Sequence, residues 1–304
     1  MEFEGRRVLV TGGGGYVGQY VIPELVSQGA QVTLLDTICC AVPYLPTVSV
    51  LCGDVRDFEQ VNRAVAGNDI VVHLACLPVG LSLAQPIRDF EVNALGTVHV
   101  LKAARDHGVQ RVIYTSTSEV YGRPQYLPMD EVHPTEPVTP YGASKFCGEV
   151  YCRTFERVYG LRSVILRFFN LFGAAADGHP RSTVDAIFMR RVLAGQPPVI
   201  RGNPGHARDF VHVKDAARAV RLAVQSEAAL GQTINIGSGT PTTLQQLAYL
   251  AIELAHAGVE PIVEGPAEEA VVWQAEISRA RHLLGYEPLV GLAEGLAETA
   301  EAMQ

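Results

Sequence analysis

Tyr141-Gly142-Ala143-Ser144-Lys145 follows Pro137 and Pro140 and reads as the opening of a helix. Side chains four residues apart share one face of a helix, so this phenol and this ammonium are neighbours. A fixed cation draws a phenol down from about 10 toward neutrality, which makes a base able to take a hydroxyl proton. Upstream, a strand runs into Ser116-Thr117-Ser118-Glu119-Val120-Tyr121-Gly122. A hydroxyl there can hydrogen-bond the oxygen that Tyr141 serves, and Glu119 offers a second base. Taken alone, the stretch also reads as a strand end with its Ser/Thr turn and an exposed glutamate. Proton removal of this kind oxidises an alcohol only if something accepts the hydride.

The acceptor's place is written in Thr11-Gly12-Gly13-Gly14-Gly15-Tyr16-Val17-Gly18, between a strand and a helix. Gly13, Gly15 and Gly18 satisfy GxGxxG, and Gly12, Gly15 and Gly18 satisfy the wider GxxGxxG. Either spacing sets a turn without side chains against a helix N-terminus, where free N–H groups and the helix dipole attract a pyrophosphate. Such glycines alone also serve ordinary tight turns. Asp36, at the end of the second strand, adds the carboxylate that accepts from the ribose hydroxyls of NAD and repels the extra phosphate of NADP. No arginine or lysine follows it immediately. In Gly53-Asp54-Val55-Arg56-Asp57, Asp54 is placed to reach the adenine amino group, whereas Asp57 suits that role and a helix cap equally.

Elements that would position these groups alternate along the first half of the chain. Strands are expected at Arg7–Val10, Gln31–Leu35, Val48–Cys52, Ile70–Leu74, Arg111–Thr115 and Ser163–Phe168. Between them come helices at Tyr16–Gln28, Phe58–Ala66, Phe90–His107 and Tyr141–Tyr159. Wholly apolar strands suit a parallel sheet covered on both faces, so the pattern predicts a doubly wound, Rossmann-like α/β fold. Residues 1–170 form the dinucleotide-binding domain on this reading, and 208–237 return to it with a strand at Phe210–Val213, a helix at Asp215–Val224 and a strand at Thr233–Ile236. Residues 171–207 and 238–304, with helices at Val184–Leu193, Leu244–Ala257 and Leu292–Ala302, make a smaller C-terminal α/β lobe for substrate.

Composition excludes other classes. The 304 residues are 48% hydrophobic and 18% charged, as a compact globular chain requires. A formal charge of −8 disfavours nucleic acid and anionic membrane surfaces. No apolar run reaches the roughly 18 residues of a membrane span, and the N-terminus leads straight into a strand without a signal peptide, so a cytoplasmic protein is expected. Cysteines 39, 40, 52, 76, 147 and 152 form neither a CxxC pair nor a Cys/His cluster, which predicts reduced thiols and no metal.

The glycine turn, His73-Leu74-Ala75, Asn93, Ser116–Gly122, Tyr141/Lys145, Phe169-Asn170, Arg208-Asp209-Phe210-Val211-His212-Val213 and Asn235-Ile236-Gly237-Ser238-Gly239 occur in one order along the chain. In that order they resemble the extended short-chain dehydrogenase/reductase superfamily, in its NAD-dependent nucleotide-sugar epimerase/dehydratase branch, over essentially the whole length. The resemblance implies that Tyr141 is the base at the sugar 4-hydroxyl, Lys145 its electrostatic partner and Thr117 a donor to the same oxygen. NAD would take the C4 hydride and leave a 4-keto sugar. Around the cofactor it places Gly12, Gly15, Tyr16, Val17, Gly18, Asp36, Asp54, Val55, Leu74, Ala75, Asn93 and Ser116, together with Tyr141 and Lys145. Asn170 and Arg208 would contact the nucleotide diphosphate; without the resemblance, Arg208 beside Asp209 also reads, as the lesser alternative, as a surface ion pair. The family's dimers pair two long helices in a four-helix bundle, here Phe90–His107 and Tyr141–Tyr159, with Ala94, Leu95, Val98, Val100, Phe146 and Val150 available for packing.

The step after oxidation decides the reaction. A C4 ketone acidifies the C5 hydrogen, Glu119 can remove it, and water can then leave from C6. A 4,6-dehydratase is therefore the first expectation, a 4-epimerase of the UDP-glucose or UDP-GlcNAc type the alternative, and a uronate decarboxylase the third. Two departures count against the first. Ser118, included in the catalytic set, stands where many dehydratases have an aspartic acid, and Ala174-Ala175-Ala176 stands where relatives often have Pro-Arg. A scaffold that binds NAD without turnover would convert no sugar, and a plain alcohol dehydrogenase would release NADH.

Overall fold

The computed structural model describes residues 3–38, 47–175, 183–266 and 268–304; Cys39, Cys40 and Ala176 lie outside them. Six strands come first in chain order: β1 (Arg7–Thr11), β2 (Gln31–Asp36), β3 (Ser49–Cys52), β4 (Ile70–His73), β5 (Arg111–Thr117) and β6 (Ser163–Phe168). Together with Thr233–Ile236 they form a seven-stranded sheet in the order Thr233–Ile236, β6, β5, β4, β1, β2, β3. Every pairing in it is parallel.

Alternation along each strand explains the two layers of helices. Val8 and Val10 of β1 and Ile70 and Val72 of β4 enter one core with Val21, Ile22 and Leu25 of helix Gly18–Ser27. Leu9 and Val71 point to the other side, into a core with helices Phe58–Val65 and Gly96–Asp106. A period of two thus delivers apolar side chains to both faces, which is why Val8–Val10 and Ile70–Val72 hold no polar residue. The chain changes direction between β1 and β4, and a crevice opens there at the carboxyl ends of the strands, where ligands of such sheets bind.

Three local expectations are corrected. Phe210–Val213 does not rejoin the main sheet: Ala207–His212 lies in a three-stranded sheet between Pro241–Thr243 and Asn170–Phe172. Phe172 and Phe210 are drawn into a separate core with Phe188, Met189, Leu247 and Leu296, and only the following helix Val213–Gln225 returns to the main sheet. The helix expected from Phe90 to His107 divides into a π-helical turn, Phe90–Leu95, and an α-helix, Gly96–Asp106. Such turns recur where a side chain is needed off the regular helical position, and here it is Asn93. Cys52 is disulfide-bonded, while Cys76, Cys147 and Cys152 are free. Disulfide pairing depends on the approach of Cβ atoms in three dimensions, which sequence spacing does not show. Among the described residues no helix is long and apolar enough to cross a membrane.

Candidate active site

The glycine turn is shaped by what a side chain would strike. Gly12 has φ +69°, and a Cβ on it would fall 2.5 Å from the backbone N and Cα of Ala75. On Gly18 a Cβ would lie 2.1 Å from the Gly13 carbonyl oxygen, so helix Gly18–Ser27 can start this close to the turn only with glycine at position 18. Val17 begins that helix without a side-chain cap, and no acidic residue stands in its first turn. An uncapped, acid-free helix start beside bare backbone fits a dinucleotide pyrophosphate. Asp36 closes the turn, accepting from Gly14 N–H at 2.9 Å and Ile38 N–H at 3.0 Å. Tyr16 reaches away from it and donates to the Gly173 carbonyl at 3.2 Å, tying the turn to the substrate side.

Several residues expected around the cofactor have protein partners of their own. Both oxygens of Asp54 are engaged by Arg56, through its backbone N–H at 2.9 Å and its guanidinium at 2.7 and 3.0 Å. The same guanidinium holds the Asp54 carboxyl below its usual range. Asp57 resolves to the cap of helix Phe58–Val65. Val55 is buried, and a Cβ on Gly96 would come within 2.8 Å of its side chain. Asn93 accepts from Leu77 N–H at 2.7 Å and donates to Asp89 at 2.6 Å, with Leu77 O and Ser144 Oγ each at 3.2 Å. Its amide is therefore a tie between the segment that continues Leu74 and Ala75 and the helix that carries Tyr141. Ser116 Oγ turns to the buried Glu149, at 2.6 Å.

Below the turn, Thr11 and Thr97 fix the tautomer of His73. The Thr97 hydroxyl donates to Asn93 O at 2.6 Å, so it accepts from Nε2–H at 3.0 Å, and Nδ1 accepts from Thr11 at 2.6 Å. Burial, seconded by the Lys145 charge, pushes this imidazole down to about 3, so it stays neutral.

The residues expected to react meet where two elements start. Thr117 accepts from Glu119 N–H at 3.2 Å and begins the short 3₁₀ turn Ser118–Tyr121. Helix Pro140–Tyr159 is capped by Thr139, whose hydroxyl accepts from Gly142 N–H at 3.0 Å. A Cβ on Gly142 would lie 2.6 Å from the Glu119 carbonyl, so the helix start rests directly on that turn. Tyr141, Thr117, Ser118 and Glu119 thus come from two segments in contact. Lys145, one turn on, is buried with its ammonium 4.4 Å from the centre of the Tyr114 ring. Burial, with Cys76, Glu119 and Asp89 nearby, pushes the Tyr141 phenol up, and burial pushes Lys145 down. The direction for Tyr141 is opposite to the expected lowering. Reading the pair alone counted the ammonium but neither the desolvation nor the thiol and carboxylates that the fold brings in. Cys76, Asp89 and Tyr114 were missed for that reason, since nothing in their sequence positions links them to Tyr141.

On the substrate side, Asn170 pairs with Phe210 in the second sheet, two residues from Arg208 on the neighbouring strand. Asp209 is not the partner of Arg208. It is buried and accepts from Ser238 N–H (2.6 Å) and Oγ–H (2.7 Å), Gly239 N–H (2.9 Å) and Ala275 N–H (3.0 Å). The Arg208 charge is felt instead at Glu119: burial pushes the Glu119 carboxyl up and the Arg208 charge opposes it. A carboxylate from the turn after β5 and a guanidinium from the second sheet are therefore within Coulombic range of each other. Residues 8–237 match the family described as NAD dependent epimerase/dehydratase. The chain belongs to that family. NAD is its cofactor.

A UDP-glucose 4-epimerase of Mycolicibacterium smegmatis is 32% identical, with 97% of each chain covered. A dTDP-glucose 4,6-dehydratase of Streptomyces niveus is 31% identical, over 97% of this chain and 92% of the relative. In three dimensions the fold matches UDP-glucose 4-epimerase of Thermotoga maritima, solved with UDP-glucose, at a TM-score of 0.90, with 32% identity and 97% and 98% of the chains covered.

Proposed function

We propose that this NAD-dependent enzyme is a nucleotide-sugar 4-epimerase, with a UDP-hexose as its substrate. The observation that carries the reading is the site's acid–base inventory. One phenol, with an ammonium and a threonine hydroxyl, serves a single alcohol, and position 118 holds serine, which cannot protonate an oxygen leaving from C6. Oxidation and re-reduction at C4 are provided for in full, whereas elimination would need Glu119 to act both as the base at C5 and as the acid at the C6 oxygen. The names of the relatives in M. smegmatis and T. maritima support the same choice, so dehydration, placed first from the sequence, gives way to epimerisation.

In the mechanism, Thr117 holds the sugar 4-oxygen while Tyr141 takes its proton. Lys145, itself buried, favours the anionic phenol by Coulombic attraction. The Gly12–Gly18 turn and Asp36 would hold NAD, which would supply the hydride acceptor and donor for C4. Arg208 and Asn170 keep the diphosphate in place while the 4-keto sugar turns its other face, and Tyr141 gives the proton back. A second reading, 4,6-dehydration, is favoured by one observation: burial raises Glu119, which makes it a stronger base, and its charge is felt at Tyr141.

Product masses from UDP-, dTDP-, GDP- and CDP-sugars separate the two. Unchanged mass with inversion at C4, no solvent deuterium at C5, and less than a tenfold fall in turnover for Glu119→Gln are expected; about 1.4 kcal/mol is the limit this sets on its role in the chemical step. Loss of one water, with deuterium at C5 that disappears in Glu119→Gln, would refute the epimerase.

We also infer a homodimer through helices Gly96–Asp106 and Pro140–Tyr159. Of the residues expected there, Ala94 and Val100 belong to the core, whereas Leu95 and Val150 are exposed, as are Phe90, Val158 and Tyr159. Sedimentation should give twice the chain mass of 32.8 kDa; a single species at 32.8 kDa at micromolar concentration would exclude it.

A further inference from the structure

Arg208 is a half-buried cation without an ion pair among the described residues, since its neighbour Asp209 is wholly engaged by the Ser238–Gly239 turn and Ala275. One hydrogen bond is made, from Nη1 to the Ala207 carbonyl at 3.1 Å. What lies against the guanidinium is the ring of Trp273, 5.3 Å from Cζ to the ring centre. Trp273 is the sole tryptophan of the chain and is 7% exposed. Its backbone N–H donates to Ala207 O at 3.0 Å, so the ring is anchored to the residue that precedes Arg208. Its side chain belongs to the buried cluster of Val120, Tyr121, Met129 and Phe169, which includes the turn that carries Glu119.

We propose that Trp273 is a positioning residue for substrate binding, holding Arg208 by its face so that the guanidinium edge is presented to the nucleotide diphosphate. A guanidinium has five N–H donors, all in its plane. A carboxylate partner would occupy that edge and compete with phosphate. An aromatic face restrains the group through its π-cloud and leaves the edge donors free for bidentate contact with phosphate oxygens. The ring's membership in the cluster under Ser118–Tyr121 also fixes Arg208 relative to the catalytic turn, so diphosphate and sugar are set at a constant span. This inference rests on the nucleotide-sugar reading and names the residue that sets its affinity.

The test is calorimetric binding of UDP to the NAD-loaded protein. Trp273→Leu should weaken UDP about fivefold to tenfold, between the exposed and the desolvated scale of a cation–π contact, and Trp273→Phe, which keeps a ring, should stay within about threefold of wild type. In an Arg208→Ala background, Trp273→Leu should add less than about twofold, because a residue acting through Arg208 has nothing left to hold. KM should rise in Trp273→Leu with little change in kcat. A penalty of equal size in the Arg208→Ala background would show a merely structural role and overturn the proposal. So would unchanged UDP affinity in folded Trp273→Leu. If that variant does not fold, the wild-type protein decides: saturating UDP should shift tryptophan emission, and the shift should vanish in Arg208→Ala, whereas an unaltered emission overturns the proposal. Should wild-type protein bind none of UDP, dTDP, GDP and CDP, the substrate class itself falls and this role falls with it; binding without dependence on Trp273 removes this role alone.

Discussion

Tyr141→Phe is expected to lower kcat by about a thousandfold, within the range for loss of a positioned acid–base group, while the protein stays folded and keeps NAD. The substitution deletes one oxygen and leaves the ring and the helix cap at Thr139 untouched. Loss confined to the chemical step is what separates a base from a binding residue, so KM should change little. The pH profile supplies the companion result. A phenol acts as a base only when ionised, and burial with Cys76, Glu119 and Asp89 pushes Tyr141 up, so activity should rise with pH on the acid side. An ammonium nearby stabilises the phenolate; its removal in Lys145→Met should therefore move that limb to higher pH and lower kcat at neutrality. Turnover of Tyr141→Phe within tenfold of wild type, or an acid limb unmoved in Lys145→Met, would end these assignments.

Glu149→Ala should cost about 3–5 kcal/mol of stability, the usual penalty for stripping one partner from a buried ion pair. Glu149 lies fully buried on the helix of Tyr141 and accepts four hydrogen bonds: from Ser116 at 2.6 Å, from Arg167 at 2.9 and 2.7 Å, and from Arg153 at 3.2 Å. Burial alone would weaken the charge of Arg167, yet its bonds to Glu149 hold it above the ordinary arginine value. Without the carboxylate, a cation whose side chain is 4% exposed loses its counter-charge. Arg153, a third exposed, has water to turn to and contributes little to the penalty. Replacing Glu149 and Arg167 together by methionine should recover much of the loss, because no buried charge then remains unpaired. Urea unfolding of the three proteins measures this. A loss under about 1 kcal/mol in Glu149→Ala would place the network outside the stability of the fold.

The chain's own pattern determined the sheet, its order of elements and the dinucleotide turn. Each of those is encoded locally: apolar strands of period two, glycines at positions where backbone must touch backbone, and a phenol and an ammonium one helical turn apart. The sequence also determined the family, because motifs spread from Gly12 to Gly239 keep one order. Tertiary structure decided the rest. It assigned Asn93 and Ser116 to protein partners, since which acceptor a buried amide or hydroxyl finds depends on elements 16 to 51 residues away. It turned Asp209 inward and set Arg208 on Trp273, 65 positions along the chain, where the sequence showed only adjacent opposite charges. It moved Ala207–His212 into a second sheet, because Phe172 and Phe210 find their apolar neighbours in the smaller core. It reversed the expected direction for Tyr141 as well: a pair four residues apart specifies proximity, whereas desolvation is a property of everything packed around the pair.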